Sequence, residues 1–542
     1  MEKEKVNMGD ELYEIFGSKG GIEYDEIEGG QIFDEKITPE EIFSQHEKAV
    51  WYKSDIGDKG LFEQTRLNER FYAGDQWHGA KVSKKMPLCR HNIIRRIGEY
   101  KRSAVTGKDY EIRFSAEGVP TFEKTRQSVG DIHDLKANGG KFDRVDDEVE
   151  YDLCMDALGS HFKAMSEKAE LRSVLNEAFK NAFISGTGVV YCYWDNEIRT
   201  GQYADNERRQ MIMGDVAFMA VDIENVDFGD PNEADTQSQP YIIISERISV
   251  KNAREQAMKY GASKEEIEKI RPDYEMNFMS GDYGESEPFS SQKLTALTKM
   301  FKIKRHDGEH IMAIKVCKGA VIRPLWDMRI RKYPIAVFRW DSRRNCAYGE
   351  SEVSYLIPNQ IAINRVLTAG VWATMLNGMP MMMVNSDVIH SPVTNSPGQI
   401  ISFSGESDEF ANAVKYIQPP DFSENFSTSL ERLINDTLDL SGATRSALGM
   451  YEMNNASAIE NLQNASRAPL ELIAQGFKKW LCEIALIFAD FVVCCYGVRK
   501  LCIEKDNDRI YLPFDAKRYS SLVITARAEL KNDETTETEG AK

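Results

Sequence analysis

The sequence predicts an α+β protein that is mainly helical and has one small β-rich unit. Apolar residues recur at helical spacing over long segments, of which 160–185 and 458–498 are the clearest. Two-residue alternation around turn signals is concentrated in residues 293–346. Hydrophobic residues make up 42% of the 542-residue chain and charged residues 28%, which is the composition of a folded protein with several domains.

The charge balance and the cysteines argue against two classes of protein. The 68 basic and 86 acidic residues leave a net charge of −18, which confines any contact with DNA to a local patch. The nine cysteines form no C-x-x-C pair, so they predict neither a disulfide framework nor a zinc site. The opening residues, MEKEKVNMGDELYEIF, do not resemble a secretory signal, and we expect a cytoplasmic protein.

Two apolar stretches approach the length of a membrane span. Residues 366–384 are uncharged but are interrupted by glycines, an asparagine and a proline, which favours a segment of the folded core. Residues 480–496 are apolar except for Glu483 and Asp490, which are seven residues apart and so share one face of a helix. We therefore expect a buried helix with one polar edge, and no contact with a membrane.

The first part of the chain is expected to consist of an arm and a basic helix. Residues 1–60 are acidic and irregular, and we assign no chemistry to them. A helix is expected from Leu61, and residues 81–113 contain ten basic and three acidic side chains. This run predicts either a contact with an anion or nucleic acid, or a solvated amphipathic helix whose isoleucines face the core. The candidate contact residues are Arg95, Arg96, Lys101 and Arg102.

The middle of the chain alternates between helices and strands. The helix over 160–185 is expected to stop at Gly186 and to lead into a hairpin and an Asp-, Gly- and Pro-rich loop. A further helix is expected from Val250, and Ser263 with Glu266 forms the pattern of a capping box for the next one.

The β-rich unit of residues 293–346 has a strong positive charge. Its turns are predicted at Asp307-Gly308 and Lys318-Gly319. Residues 298–344 contain thirteen basic and four acidic side chains, a local charge of +9. After this unit we expect helices over 350–376, 426–449 and 458–498, short strands at 381–385, 509–514 and 521–530, and a polar tail.

Catalytic motifs do not stand out. We find no phosphate-binding loop, no HExxH and no GxSxG nucleophile elbow. The densest acidic group consists of Asp227, Asp230, Glu233 and Asp235. Such carboxylates predict either the metal ligands of a nuclease or a loop in which short acidic side chains form Asx turns. We expect no catalytic site, no bound metal and no cofactor.

Five groups of segments occur in an order that resembles a known family. They are FYAGDQW (71–77) with HNIIRRIGEYKRSAVTGKDYEIRF (91–114), ISGTGVVYCYWD (184–195), ENVDFGDPNEAD (224–235), AYGESEVSYLIPNQIAINRVL (347–367) and SGATRSALGMYEMNNASAIENLQ (441–463). On these segments the chain resembles the P22-like portal proteins of tailed bacteriophages, over about residues 65–500.

The resemblance implies an architecture of wing, stem, clip and crown. After an acidic N-terminal arm (1–60), the wing would comprise residues 61–245 and 376–450, with a tunnel loop near 385–410. The stem would comprise 246–292 and 347–375, the clip 293–346, the helical crown 451–525, and a mobile polar tail 526–542.

The resemblance also implies a function. Portal subunits form a ring, usually a dodecamer, at one vertex of the capsid, and the double-stranded DNA genome is packaged and ejected through it. The implied partners are further copies of the chain, the DNA, the terminase large subunit, the major capsid protein and scaffold, and the head-completion or adaptor protein. The chain would be assembled in the cytoplasm of the host bacterium, would become part of the virion, and would not be an enzyme.

The basic residues would have a place in this architecture. The clip candidates for docking a partner or contacting the DNA backbone are Arg329, Arg331, Lys332, Arg343 and Arg344, with salt bridges between subunits as the alternative. The four basic residues of the 81–113 run would lie in the wing. An acidic chain suits a channel in which DNA slides, because every neutralised phosphate adds affinity.

Two other functions remain open. One is a DNA-processing enzyme, such as a metal-dependent nuclease or a terminase-like component. The other is a different capsid or tail-connector protein.

Overall fold

The fold is described from a computed structural model. It describes residues 37–81, 86–117, 147–203, 209–273, 293–305, 308–378, 381–387, 389, 391–392, 400, 402, 404, 414–417, 424–444, 456–505, 508–515 and 523–530. Helices account for 47% and strands for 30%, which confirms the α+β class.

The helices and strands follow one another in mixed order. The helices are α1 (Pro39–Asp55), α2 (Leu61–Ala73), α3 (Ile93–Thr106), α4 (Asp147–Lys168), α5 (Leu171–Ser185), α6 (Val250–Lys259), α7 (Lys264–Lys269), α8 (Glu352–Gly378), α9 (Glu424–Leu440) and α10 (Ala456–Cys495). The strands are β1 (Tyr110–Glu117), β2 (Thr187–Tyr203), β3 (Met211–Val221), β4 (Val226–Phe228), β5 (Tyr241–Ser249), β6 (Lys293–Arg305), β7 (Gly308–Cys317), β8 (Ala320–Asp327), β9 (Ile335–Arg339), β10 (Asp341–Ser342), β11 (Gly349–Glu350), β12 (Met381–Val384), β13 (Val414–Ile417), β14 (Val498–Lys505), β15 (Asp508–Asp515) and β16 (Val523–Leu530).

The strands of the predicted β-rich unit are divided between two larger antiparallel sheets. Strands β6, β7 and β8 continue a sheet of order β4-β5-β6-β7-β8, whereas β9 pairs with β2 in the sheet β3-β2-β9. The pairing is antiparallel, and the partners β4, β5 and β2 precede residue 250. The strands are therefore not confined to one small unit, because β6 needs a partner on each side and takes one of them from β5.

Helix α10 forms the main core with the β3-β2-β9 sheet. Its Phe477 and Trp480 pack against Phe179 of α5 and Phe338 of β9, with the Phe338 and Trp480 ring centroids 5.5 Å apart. Burying side chains of this size stabilises a fold by about 1.5–3 kcal/mol each. The predicted helix over 458–498 is confirmed, although it ends at Cys495 because the hairpin of β14 and β15 begins soon after.

The polar edge of α10 is also confirmed. The Asp490 carboxylate accepts hydrogen bonds from the N–H groups of Arg331 (2.7 Å) and Lys332 (3.0 Å), in the loop between β8 and β9. Burial raises the pKa of Glu483 to about 7, although Arg339 on β9 acts in the opposite direction. These two carboxyl groups connect α10 to the residues that follow β8.

Residues 37–60 differ from the irregular arm that the sequence predicts. Thr38 caps α1 by accepting a hydrogen bond from the N–H of Glu41, and Pro39 occupies the first turn, where no amide hydrogen is needed. Ile42 and Lys53 of α1 are fully buried. The irregular interpretation was wrong for this segment because it overlooked the cap-and-proline signature; residues 1–36 lie outside the described part.

The single helix expected over 160–185 is two helices. Helix α4 ends at Lys168 and α5 begins at Leu171, and between them Glu170 has a φ of 50°. A left-handed residue that is not glycine leaves no trace in the apolar spacing, which continues across the break. The expected end of α5 at Gly186, with a φ of 88°, is confirmed.

Several local predictions hold. The hairpin after Gly186 is formed by β2 and β3, and the Lys318-Gly319 turn joins β7 to β8. The capping box of Ser263 and Glu266 is present in both directions. Helix α8 covers the predicted range but tolerates a proline inside it, and within the described chain none of the helices has both the length and the apolar character that a bilayer crossing requires.

Candidate functional site

The turn before β2 meets the turn before α8 backbone to backbone. The Gly186 carbonyl accepts a hydrogen bond from the N–H of Trp340 at 2.9 Å, and Thr187 Oγ1 accepts one from the N–H of Gly349 at 2.8 Å. A Cβ atom on Gly186 would lie 2.6 Å from the Gly349 carbonyl oxygen. Only glycine fits at such an approach, so the ISGTG and AYGES motifs have one shared structural cause.

The Asp-Pro loop joins the same place. The N–H of Ala347 donates to the Pro231 carbonyl at 2.8 Å. The buried Tyr348 ring packs against Phe228, with centroids 5.4 Å apart, and against Tyr52 of α1, with centroids 6.2 Å apart. A third group of the resemblance segments therefore contacts the first residues of the AYGES motif.

Further along α8, buried polar side chains form what we call the amide ladder, which consists of Gln360, Asn364 and Thr368 on one face of α8 together with Gln76. Gln360 Oε1 accepts a hydrogen bond from the N–H of Ile93 at 3.0 Å, and Gln360 Nε2 donates to the His91 carbonyl at 2.7 Å. Gln360 thereby caps the start of α3 from another helix, because the first amide groups of a helix have no partner within it.

The other rungs of the amide ladder reach the FYAGDQW motif. Asn364 Nδ2 donates to Gln76 Oε1 at 2.6 Å, and Asn364 Oδ1 accepts from the N–H of His91 at 3.1 Å. Thr368 Oγ1 accepts from the N–H of Cys89, whose carbonyl in turn accepts from Trp77 Nε1 at 3.0 Å. The conspicuous Gln and Asn of the α8 motif and the Gln-Trp of the first motif are therefore parts of one hydrogen-bonded network.

A charged cluster holds α1 against β4. We call it the Asp227 cluster; it consists of Asp227, Lys53 and His46. Lys53 Nζ lies 2.7 Å from Asp227 Oδ1, both side chains are almost fully buried, and Lys53 also donates to the Glu224 carbonyl at 2.9 Å. His46 Nδ1 lies 2.6 Å from Asp227 Oδ2. Burial favours a higher pKa for Asp227, but Lys53 and His46 together outweigh it, and the pKa is lowered.

The remaining acidic residues of the loop serve local structure. Asp230 Oδ1 accepts from the N–H of Asn232 at 2.9 Å, and Glu233 Oε1 accepts from the N–H of Asp235 at 2.8 Å. Asp235 in turn caps a short 3₁₀ turn by accepting from the N–H of Gln237 at 3.2 Å. These are the Asx-type turns that formed one of the two interpretations of this loop. Among the residues the structure describes, no group of three His, Cys, Asp or Glu side chains is placed to hold a metal ion.

The four basic residues predicted on α3 do not form one surface patch. Arg95 and Arg96 are exposed. Lys101 is buried and forms an ion pair with Glu352 of α8, with Nζ 2.7 Å from Oε1, so its prediction as a surface contact was wrong. Arg102 is half-buried beside Glu99, with which it forms an ion pair.

The five basic residues of the second candidate group lie in two loops. Arg329 is exposed with a φ of 62°, and Arg331 and Lys332 are partly buried in the loop that Asp490 accepts from. Arg343 is partly buried and lies 3.3 Å from a carboxylate oxygen of Glu350, whereas Arg344 is exposed. Of this group, Arg329 and Arg344 are the residues most open to a partner.

One buried polar cluster has no counterpart in the sequence motifs. The Tyr496 hydroxyl donates to Asp215 Oδ1 and lies 2.9 Å from His161 Nε2, which connects α4, β3 and the end of α10. Arg499 donates to the Gly214 carbonyl at 2.9 Å and lies over the Tyr496 ring. Burial lowers the pKa of His161 to about 4. The members are at least 50 residues apart except for the last two, so no spacing rule would group them.

Neither a scan against protein-family models nor a search of the curated proteins found a match for this chain.

Proposed function

We propose that the chain is the subunit of a portal ring of a tailed bacteriophage. In this role twelve or so copies surround a channel at one capsid vertex, through which double-stranded DNA enters during packaging and leaves on ejection. The ring serves as the docking platform of the terminase large subunit and afterwards of a head-completion or adaptor protein, and contacts the major capsid protein and scaffold. The chain is assembled in the host cytoplasm, ends in the virion, and has no catalytic role.

The observation that supports this proposal is the physical connection between the resemblance segments. Four of the five groups, which are up to 290 residues apart in the chain, meet through Gly186 and Gly349, through Ala347 and Pro231, and through the amide ladder. Motifs that matched by chance would have no reason to contact one another. Their contacts instead are those of a shared structural framework.

The charge distribution supports the same proposal. The net charge of −18 disfavours tight binding of DNA, which a channel must let pass, because counterion release would otherwise hold the duplex in place. The acidic loop after β4, which was the basis of the nuclease alternative, uses its carboxylates for Asx-type turns and for the ion pair with Lys53.

Electron microscopy of the negatively stained full chain, with native mass measured in parallel, tests the proposal. We expect rings with a central hole and roughly ten to thirteen subunits, formed without nucleotide or metal. The same preparation is incubated with linear DNA and Mg²⁺. Cleavage that disappears in the triple variant Asp230→Asn, Glu233→Gln, Asp235→Asn would favour the enzyme and overturn the portal assignment.

A further inference from the structure

The second half of α8 is less covered by the chain than its composition requires. In the first half Val353, Leu356 and Ile363 are buried in a cluster with α2, α3 and α9. Beyond Thr368, however, the side chains of Val371 and Met375 are 36% and 47% exposed. Surface helices place charged residues on the exposed face, but no Asp, Glu, Lys, Arg or His occurs from residue 366 to residue 386.

An open apolar groove runs along this part of α8. It has a volume of about 310 Å³ and is lined by Leu367, Gly370, Val371, Thr374, Met375 and Phe426. The Phe426 ring of α9 lies directly over Gly370, since a Cβ atom there would meet the edge of the ring. The groove is thus a gap between two helices that are already in contact, and its rim consists of apolar side chains and a hydroxyl.

The uncharged surface extends beyond the groove. Met383 and Val384 of β12 are 53% and 36% exposed, and Ser427, Thr428 and Ser429 of α9 are exposed as well. Single exposed apolar residues are common, but a continuous uncharged surface with a groove in it is typical of an interface. Interface cores are poor in charged residues and rich in methionine and aromatic side chains, and this surface has the same character.

We infer that this surface, defined by Val371, Thr374, Met375 and the groove beneath them, is where one copy of the chain contacts the next. The inference rests on the proposed ring and names the part of the subunit that forms it. A second copy is the occupant that the charges favour: each copy has a net charge of −18, so two copies attract one another only where neither brings carboxylates to the contact. A lipid surface would call for basic residues on the flanks of the helix, and residues 366–386 supply none.

Substitution with glutamate tests the inference on the full chain. In Met375→Glu the carboxylate would be buried at the contact without a partner, and the association constant should fall by roughly tenfold or more. The matched control is Leu472→Glu, which places the same charge at a side chain of α10 that is 75% exposed. Native mass and light scattering over a range of concentrations should give rings for the wild type and the control, and the single-chain mass of 61.6 kDa for Met375→Glu.

The outcomes separate the two proposals. A wild type that stays at 61.6 kDa at all concentrations overturns both the ring and this interface. A wild type that assembles, with Met375→Glu assembling equally well, overturns the interface alone. If Met375→Glu unfolds at a lower temperature than the control, Thr374→Arg repeats the test from an exposed polar position on the same face; rings of Thr374→Arg as stable as those of the wild type would also overturn the interface.

Discussion

The Asp227 cluster and the amide ladder do similar work with different chemistry. Each connects segments that are far apart in the chain, 174 residues between Lys53 and Asp227 and 267 between Ile93 and Gln360. Each is buried. The Asp227 cluster consists of ionised groups, whereas the amide ladder consists of neutral donors and acceptors.

The difference teaches which connection depends on conditions. In the amide ladder Gln360 and Asn364 use both their carbonyl and their amide groups, so the polar atoms are satisfied without a buried charge. In the Asp227 cluster the cost of removing two charges from water is offset only while both partners are ionised and in contact. We therefore expect α3 to stay fixed to α8 over a wide pH range, and α1 to be attached conditionally.

The strongest way to break this comparison is Asp227→Asn. It leaves the Lys53 ammonium group buried without its counter-charge, and the free energy of unfolding should fall by about 3–5 kcal/mol. Urea unfolding followed by circular dichroism measures the change. The control is Asp230→Asn in the same loop, whose side chain is exposed, and which should cost less than about 1 kcal/mol. Equal losses in the two variants would show that the buried pair has no special role.

The corresponding change in the amide ladder is Gln360→Leu. It removes the acceptor for the N–H groups of Ile93 and Ile94 and the donor to the His91 carbonyl, at a cost of about 2–3 kcal/mol. The loss in urea unfolding should be the same at pH 5 and pH 8, because no ladder member titrates in that range. Arg365→Leu, an exposed position on the next turn of α8, is the control. A loss that varied with pH would contradict the distinction drawn between the two clusters.

Local signals predicted much of the secondary structure. The Gly186 stop, the Ser263 capping box and the long apolar pattern of α10 each depend on residues close together in the chain. Thr38 and Pro39 carried a signal of the same kind, which the acidic composition of residues 1–60 obscured.

Contacts between distant segments could not be predicted in the same way. Lys101 lies four residues after Ile97 and seven after Ile94, so its position on the apolar face of α3 was available from the sequence, but its partner Glu352 was not. The sequence likewise indicated glycines at 186 and 349 but not that they meet. The Asp215–Tyr496–His161 cluster depends wholly on tertiary packing, since nothing local distinguishes its members.

A smaller effect sharpens the pH side of the comparison. Burial raises the pKa of Glu224 to about 7, with Asp222 acting in the same direction and Lys53 against it. A carboxyl group with a raised pKa in the folded state stabilises the fold below its unfolded pKa, near 4.5, and this contribution is lost as the pH rises towards 7. Glu224→Gln should therefore raise the free energy of unfolding by about 1–2 kcal/mol at pH 8, with the partial exposure of the side chain taken into account, and leave it unchanged at pH 4. A gain of equal size at both pH values would point to packing instead of ionisation.

The smallest effect is expected from the double variant Arg95→Gln, Arg96→Gln. Both side chains are exposed on α3, whose start is held by Gln360 and whose other face is buried, so the free energy of unfolding should change by less than about 0.5 kcal/mol. This insensitivity separates folding from function at α3. If the two guanidinium groups touch the DNA backbone, the double variant should bind a duplex more weakly at low salt, with a salt dependence lower by about 0.9 for each phosphate contact removed. If binding is unchanged, their charge is that of a solvated helix face. Lys101 cannot be used for this test, because its loss would leave Glu352 buried and unpaired and would confuse the two effects.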